Sequence, residues 1–332
     1  MAHAGAVRSF GPPHRARSAE DDHSQGAVCT ASHLRCGGGV HVVTAGEEAR
    51  DDLTITWREF DQFRTIFYGW TGIRFEDHKR YFVEARLKCR VRETGHGSFR
   101  SYFQMLRDDS ADAEWQTLAN RLTTSETYFF REEYHFRALV RDVLPDVVRR
   151  KRAGDPIRVW SIPCATGEEP YSIALYLMEH WPGARTWSID ILASDINTTV
   201  LDKARAGVFG RRSVAPVPAH LLKKYFQPQA PEVWQVRDRL RQTVQFSQIN
   251  IVKACDTGML SGADIIFCRN MLIYFDDRSR KAALDVLFGA LAPGGFLFVG
   301  YTEARARLTD AFKARRLPDA LVFQKPAVPA RA

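Results

Sequence analysis

Residues 161–172 read SIPCATGEEPYS, and the fold turns on what flanks them. A short apolar run, Ile157 to Trp160, leads in, and a helix-like apolar run, Ile173 to Met178, leads out. Strand, turn and helix in that order form the layout of a nucleotide-binding fold. The turn does not suit a dinucleotide. It has one glycine, Gly167, where a pyrophosphate-binding turn uses three, and it has Glu168 and Glu169 at the helix start. Carboxylates there would repel a phosphate. They are favourable beside the positive end of the helix dipole as capping groups, and they would equally welcome a cationic ligand.

The pattern on the C-terminal side supports an α/β sheet. Strands are expected at 157–161, 189–194, 265–268, 296–300 and 320–324, with helices at about 170–181, 197–205 and 277–291. Such alternation builds a parallel sheet with crossover helices. About 20 residues separate the last two strands, too few for a crossover, so the final strand is expected to be antiparallel. The stretch APGG at 292–295 reads as a tight turn feeding a late strand. Residues 207–248 break the alternation. Prolines punctuate RRSVAPVP and KKYFQPQAPEVWQV, and Val244 and Phe246 alternate with polar neighbours. This segment reads as an inserted antiparallel hairpin or three-stranded flap, with a long irregular loop as the competing reading.

On the N-terminal side the period is helical. Trp57, Phe60, Phe63, Ile66 and Phe67 recur through ITWREFDQFRTIFYGWTG, which Gly69 and Gly72 close. Phe82, Val83, Leu87 and Val91 follow, then short helices near FRSYFQML and DAEWQTLANRL, then a long helix at about 132–152. Residues 1–52 are rich in Gly, Ala and His and lack periodicity, so they are expected to be a disordered tail. Its scattered His3, His14, His23, His33 and His41 suggest no metal site. The expected plan is a tail at 1–52, an all-α domain at 53–131, a linking helix at 132–155, an α/β domain at 156–326 carrying the 207–248 insertion, and a short tail at 327–332.

Bulk properties narrow the function. The 332 residues are 45% hydrophobic and 26% charged, ordinary for a soluble globular protein, and none of their apolar runs reaches 18 residues. No signal-peptide pattern is seen, and the six cysteines show neither CxxC spacing nor a histidine partner pattern. A cytoplasmic protein with reduced thiols, no metal and no membrane insertion is expected. The formal net charge of +8 permits an acidic partner.

S-adenosylmethionine matches the acidic turn, since it has a sulfonium, an ammonium group and no phosphate. Its ribose needs an acidic acceptor at the end of the second strand. The stretch IDILASDIN supplies Asp195, 28 residues after Gly167. A helix N-cap is the competing role for Asp195. The missing glycines argue against a dehydrogenase. The loop CRNMLIYF lacks the Asn/Asp-Pro-Pro-aromatic motif of exocyclic-amine methyltransferases, which argues against adenine or glutamine amide chemistry.

Five blocks then converge: LTTSETYFFREEYHF (122–136), SIPCATGEEPYSIAL (161–175), LASDINTTVLDKARAGVF (192–209), IIFCRNMLIYFDD (265–277) and LAPGGFLFVGYTE (291–303). Together, in this order and spacing, they closely resemble the chemotaxis receptor methyltransferase family, CheR, over about residues 54–325. The resemblance implies a Rossmann-like class I S-adenosylmethionine-dependent methyltransferase domain with an inserted antiparallel β-subdomain, preceded by a small all-α domain. It implies methyl transfer to glutamates on the cytoplasmic helices of chemoreceptors. By motif, Ser125, Thr127 and Arg131 would line the cofactor, with Ser125 standing where the family usually has Asn. Glu169, with Glu168 beside it, would lie near the methionine end, Asp195 at the ribose, and Asn250 and Ile251 at the adenine. Arg269 and Asn270 would form the pair after the strand, and Tyr274 would stand near the methyl-transfer site. Some members dock a receptor C-terminal pentapeptide on a glycine-rich loop of the β-subdomain. The matching FQPQAPEVWQVRDRL has no glycine, so a pentapeptide-independent enzyme is expected.

Arg131 and Tyr274 are the candidate catalytic residues. Arg131 would orient a carboxylate of cofactor or substrate through its planar fork. A place in the apolar core is the competing reading for Tyr274. Between His78 and Arg92 stand six Lys/Arg and one acid, Glu84. Lys79, Arg86 and Arg90 share a helical face that could steer a glutamate-rich receptor helix, and a solvated basic face is the alternative. Two other functions stay open: a methyltransferase of RNA or a small acid, and a non-catalytic cofactor-sensing regulator. The aromatic residues do not interleave with the basic helix as a nucleic-acid stacking platform would.

Overall fold

A computed structural model describes residues 53–108, 110–152, 154–253, 261–305 and 308–327. The tail at 1–52 with its histidines, Cys29, Cys36 and Cys255, and residues 328–332 lie outside the described residues.

Four helices open the chain: α1 (Trp57–Thr71), α2 (Arg80–Glu93), α3 (Phe99–Met105) and α4 (Asp112–Leu122). Local chemistry sets their ends. Thr56 caps α1 in a reciprocal box, accepting from Glu59 N at 3.2 Å while its own N–H donates to Glu59 Oε2 at 2.9 Å. Gly72 ends α1 at φ +73, and a β-carbon there would lie 2.7 Å from Val252. Ser98 caps α3. The apolar stripes pack on one another: Phe60, Phe63 and Phe67 of α1 meet Val83, Leu87 and Val91 of α2, Tyr102 and Phe103 of α3, and Trp115 and Leu118 of α4. Each such side chain removed from water contributes about 1.5–3 kcal/mol before entropy is counted.

The linking helix runs as α5 (Tyr134–Ala138), a π-helical turn (Leu139–Val143) and α6 (Leu144–Arg150). The chain continues through β1 (Ile157–Ser161), α7 (Glu168–His180), β2 (Ile189–Asp195) and α8 (Thr198–Ala206). It then makes β3 (Val208–Gly210), α9 (Arg211–Val214), α10 (Ala219–Tyr225), β4 (Phe226–Ala230), β5 (Val233–Val236) and α11 (Asp238–Arg241). The last stretch holds β6 (Val244–Gln248), β7 (Ala263–Cys268), α12 (Asp277–Ala290), β8 (Leu291–Val299), α13 (Tyr301–Ala304), β9 (Lys313–Arg316) and β10 (Leu321–Gln324).

Seven strands form one sheet in the order β6-β2-β1-β7-β8-β10-β9. The first five run parallel, and β10 is antiparallel to β8, as the short connection requires. Alternate residues feed opposite faces. Ile265 and Phe267 of β7 join one apolar cluster, while Ile266 and Cys268 join the other. The second sheet is small and antiparallel, in the order β3-β5-β4.

Three details differ from the sequence expectation. The strand Val244–Gln248 is not part of the insertion: it pairs parallel to β2 at the edge of the main sheet, so the small sheet spans only β3 to β5. Its alternating pattern is that of an edge strand with one covered face, which an antiparallel hairpin would share. The stretch APGG lies inside β8, where the pairing register with β7 shifts and Gly294 adopts φ +78. A further strand, β9, precedes the last one, and all four of its residues are exposed.

Candidate functional site

A cleft of about 850 Å³ opens at the carboxyl ends of β1, β2 and β7, the edge at which open α/β sheets bind ligands. Its other wall is helical-domain chain: Thr71 at the end of α1 with Ile73 and Phe75 beyond it, and residues 122–128 from the end of α4 onward. Hydrogen bonds hold the two halves together. Asn250 Nδ2 donates to Trp70 O at 2.7 Å, Tyr68 Oη donates to Asp276 Oδ1 at 2.9 Å, and Arg74 N donates to Tyr274 O at 3.1 Å. Asn120 donates to Thr198 Oγ1 and accepts from Thr198 N, both at 2.9 Å.

The acidic turn divides its two glutamates. Glu169 faces the cleft, accepting from Ser161 Oγ at 2.7 Å and from Arg269 Nη1 at 3.0 Å. Burial raises its pKa, against the pull of Arg269. Glu168 is not brought into the cleft. It is buried and accepts from Thr166 Oγ1 at 2.6 Å and from Ser213 Oγ at 2.7 Å, tying α7 to the chain around the small sheet. The N-cap residue is Gly167, so both glutamates lie inside the first turn of α7. Gly167 holds the turn at φ +98, where a β-carbon would also crowd Ala204 at 3.0 Å.

Asp195 ends β2, buried, on the cleft wall. The cap of α8 is Asn197, whose side chain accepts from Val200 N at 3.1 Å, so the capping role does not fall to Asp195. Asp195 instead accepts from Ala165 N and Asn197 N, each at 2.9 Å, one on each oxygen. The Ile196 N–H also faces this carboxylate. Burial raises the Asp195 pKa, opposed by these backbone N–H groups.

Ser125, Thr127, Arg131, Asn250, Ile251, Asn270 and Tyr274 also line the cleft. Phe130 and Glu132 both adopt positive φ, +57 and +55, and Arg131 stands between them on a sharply turned backbone. Among the described residues its guanidinium makes one hydrogen bond, to Glu126 O at 2.9 Å, and lies 5.9 Å from the centre of the Tyr128 ring. Tyr274 is 43% exposed and is no core aromatic.

Of the three basic docking candidates, only Lys79 reaches the cleft rim. Arg86 donates to Arg121 O at 2.8 Å and lies over the Phe82 ring, while Arg90 is paired with Glu114 at 2.5 Å and also with Glu93. Those two arginines brace α2 against α4 and present no free basic face.

Arg269, named from the sequence with Asn270, lines the cleft but is buried: it bridges Glu169 and Glu132, and its Nη2 donates to Arg131 O at 2.6 Å. The sequence reading passed over three other residues that shape the site, Glu132, His135 and Glu303. His135 lies buried beside Glu132, 3.3 Å from Oε2, and burial together with Arg269 pushes its pKa down to about 3. Glu303, buried, accepts from the N–H groups of Gly300, Asn270 and Leu272 at 2.7–2.9 Å and so fixes the loop that carries Tyr274. The local spacing marks Glu303 only as the capping acid three residues after Gly300; its other partners, Asn270 and Leu272, lie more than 30 residues away.

Residues 125–320 match the family described as CheR methyltransferase, SAM binding domain, and residues 58–123 match the CheR methyltransferase all-alpha domain. The chain belongs to the CheR methyltransferase family. Relatives include chemotaxis protein methyltransferase 2 of Vibrio cholerae, 46% identical over 83% of this chain and 96% of its own length. Chemotaxis protein methyltransferase 2 of Pseudomonas aeruginosa is 40% identical over 75% and 87%, and the Salmonella typhimurium enzyme 36% over 79% and 89%. This CheR methyltransferase therefore uses S-adenosylmethionine, and the donor set of the cleft fits that group. It offers a carboxylate at Asp195, a guanidinium at Arg131, and Glu169 where a phosphate site would need N–H groups.

Proposed function

We propose that this CheR methyltransferase is a cytoplasmic protein-glutamate O-methyltransferase acting on the cytoplasmic helices of chemoreceptors. The guanidinium of Arg131, on the wall of the same cleft as Tyr274 and hydrogen-bonded only to Glu126 O among the described residues, carries this reading: it suits a site that positions carboxylates rather than one that strips protons. A glutamate side chain in water has a pKa of about 4.3 and is already ionised near neutral pH, so a carboxylate nucleophile needs no general base. S-adenosylmethionine supplies the methyl group: the S–CH3 bond breaks as the C–O bond of the ester forms, and the sulfonium charge and the carboxylate charge are lost together. The chain's own task is alignment and exclusion of water.

Asp195 would take the ribose hydroxyls. Glu169 would meet the ammonium end, with Arg269 holding its carboxylate in place. Ser125, Thr127, Asn250, Ile251 and Asn270 would enclose the remainder. Arg131 would orient a carboxylate, and Tyr274 would position the reacting groups by its hydroxyl. Lys79 would attract a glutamate-rich helix at the rim.

Independence from a receptor pentapeptide is supported by the small sheet. β4 and β5 are joined by the two residues Pro231 and Glu232, leaving no long loop there, and β4 is an edge strand with Pro228 and a register shift at 228–230. Proline removes a donor from an edge and discourages strand addition.

The test uses labelled S-adenosylmethionine, the purified protein and a receptor cytoplasmic fragment. Label released as methanol by mild alkali, and lost with Arg131→Ala, is the expected result, because esters hydrolyse there. Alkali-stable label would overturn the carboxylate chemistry.

A further inference from the structure

Tyr274 has a fixed backbone and an exposed ring. Tyr274 N donates to Met271 O and Tyr274 O accepts from Arg74 N, both at 3.1 Å, and the loop beneath is clamped by Glu303. None of these contacts sets where the hydroxyl points. Among the described residues one does: Tyr274 Oη and Thr124 Oγ1 share a hydrogen bond of 3.0 Å across the mouth of the cleft.

Thr124 is well placed for this. Its neighbour Thr123 ends α4, donating to Ala119 O at 2.8 Å and accepting from Asn197 Nδ2 at 2.9 Å. The Thr124 backbone is thereby registered to the end of β2, beside Asp195. The bond joins two exposed side chains, where water competes freely, so its contribution to fold stability is slight. What it specifies is direction. A tyrosine hydroxyl that must act at one point of the cleft would otherwise sweep with its ring.

We infer that Thr124 is a positioning residue for methyl transfer: it acts through Tyr274, holding that hydroxyl over the reacting groups. The inference rests on the role proposed for Tyr274. The side chain needs only its hydroxyl, so serine should replace it and valine, of the same shape, should not.

The test compares Thr124→Val, Thr124→Ser, Tyr274→Phe and the double variant Thr124→Val/Tyr274→Phe in the full chain. Methylation of the receptor fragment is followed for kcat, and calorimetry gives cofactor affinity. Thr124→Val is expected to lower kcat roughly three- to tenfold, the scale of one hydrogen bond, with cofactor affinity within about twofold. Thr124→Ser should restore the rate. The double variant should be no slower than Tyr274→Phe alone, since the two residues act as one unit. A normal Thr124→Val rate, or a full further loss in the Tyr274→Phe background, overturns the inference while leaving the role of Tyr274 intact. A normal rate for Tyr274→Phe overturns the role of Tyr274, and this inference with it.

Discussion

Arg269 and Glu169 meet at 3.0 Å, and the same guanidinium reaches Glu132 at 3.1 Å on its other side. One buried cation thus joins the loop before α5, the end of β7 and the first turn of α7. Removing one member of a buried ion pair leaves charge uncompensated. Arg269→Gln is expected to cost about 3–5 kcal/mol of unfolding free energy. Cofactor affinity should fall with it, because Arg131 O and Glu169 lose their common anchor. Arg269→Lys should not rescue both, since one ammonium lacks the fork that spans two carboxylates. Urea unfolding and cofactor titration check this.

Asp195→Asn should weaken cofactor binding about ten- to a hundredfold, the range of a hydrogen bond to a charged acceptor. The ionised carboxylate is the acceptor, and burial raises the pKa of Asp195. Binding is therefore strongest at neutral pH and should decline on acidification sooner than an ordinary aspartate would allow. Affinity measured against pH should lose that acid limb in the variant.

Stability itself should depend on pH through His135. In the folded state its pKa is pushed down to about 3, while the unfolded chain titrates near the usual 6.5. Between those values the unfolded state binds the extra proton, so this contribution is whole above about 6.5 and is lost as pH falls toward 3. The slope approaches about 1.4 kcal/mol per pH unit at its steepest. His135→Phe should flatten it, as denaturant midpoints at a series of pH values would reveal.

The basic helix should separate into two roles. Arg90→Ala should destabilise the protein by about 3 kcal/mol, because Glu114 loses its partner inside the helical domain. It should leave the KM for receptor near normal under stabilising conditions. Lys79→Glu should do the reverse, raising that KM several-fold at low salt with an unchanged melting temperature.

The strand-turn-helix at 157–180 was legible because its apolar runs have no rival assignment, and the single glycine with two acids already argued against phosphate. The antiparallel last strand followed from connection length alone. What stayed hidden depends on partners distant in sequence. Arg86 and Arg90 share a helical face with Lys79, and nothing local says that Arg121 O and Glu114 will claim them. Glu168 and Glu169 are adjacent, yet Ser213 draws one away from the cleft. Val244 and Phe246 alternate identically in a hairpin or at a sheet edge, and only pairing with β2 distinguishes them.

The cleft wall has a consequence for engineering. Tyr68, Trp70 and Asn120, all from the helical half, grip Asp276, Asn250 and Thr198 around the methyl donor's side of the molecule. The helical half is thus part of the wall around the cleft rather than a detachable neighbour. Exchanging it for that of a relative would disturb the cleft unless the graft carries those three contacts across the seam.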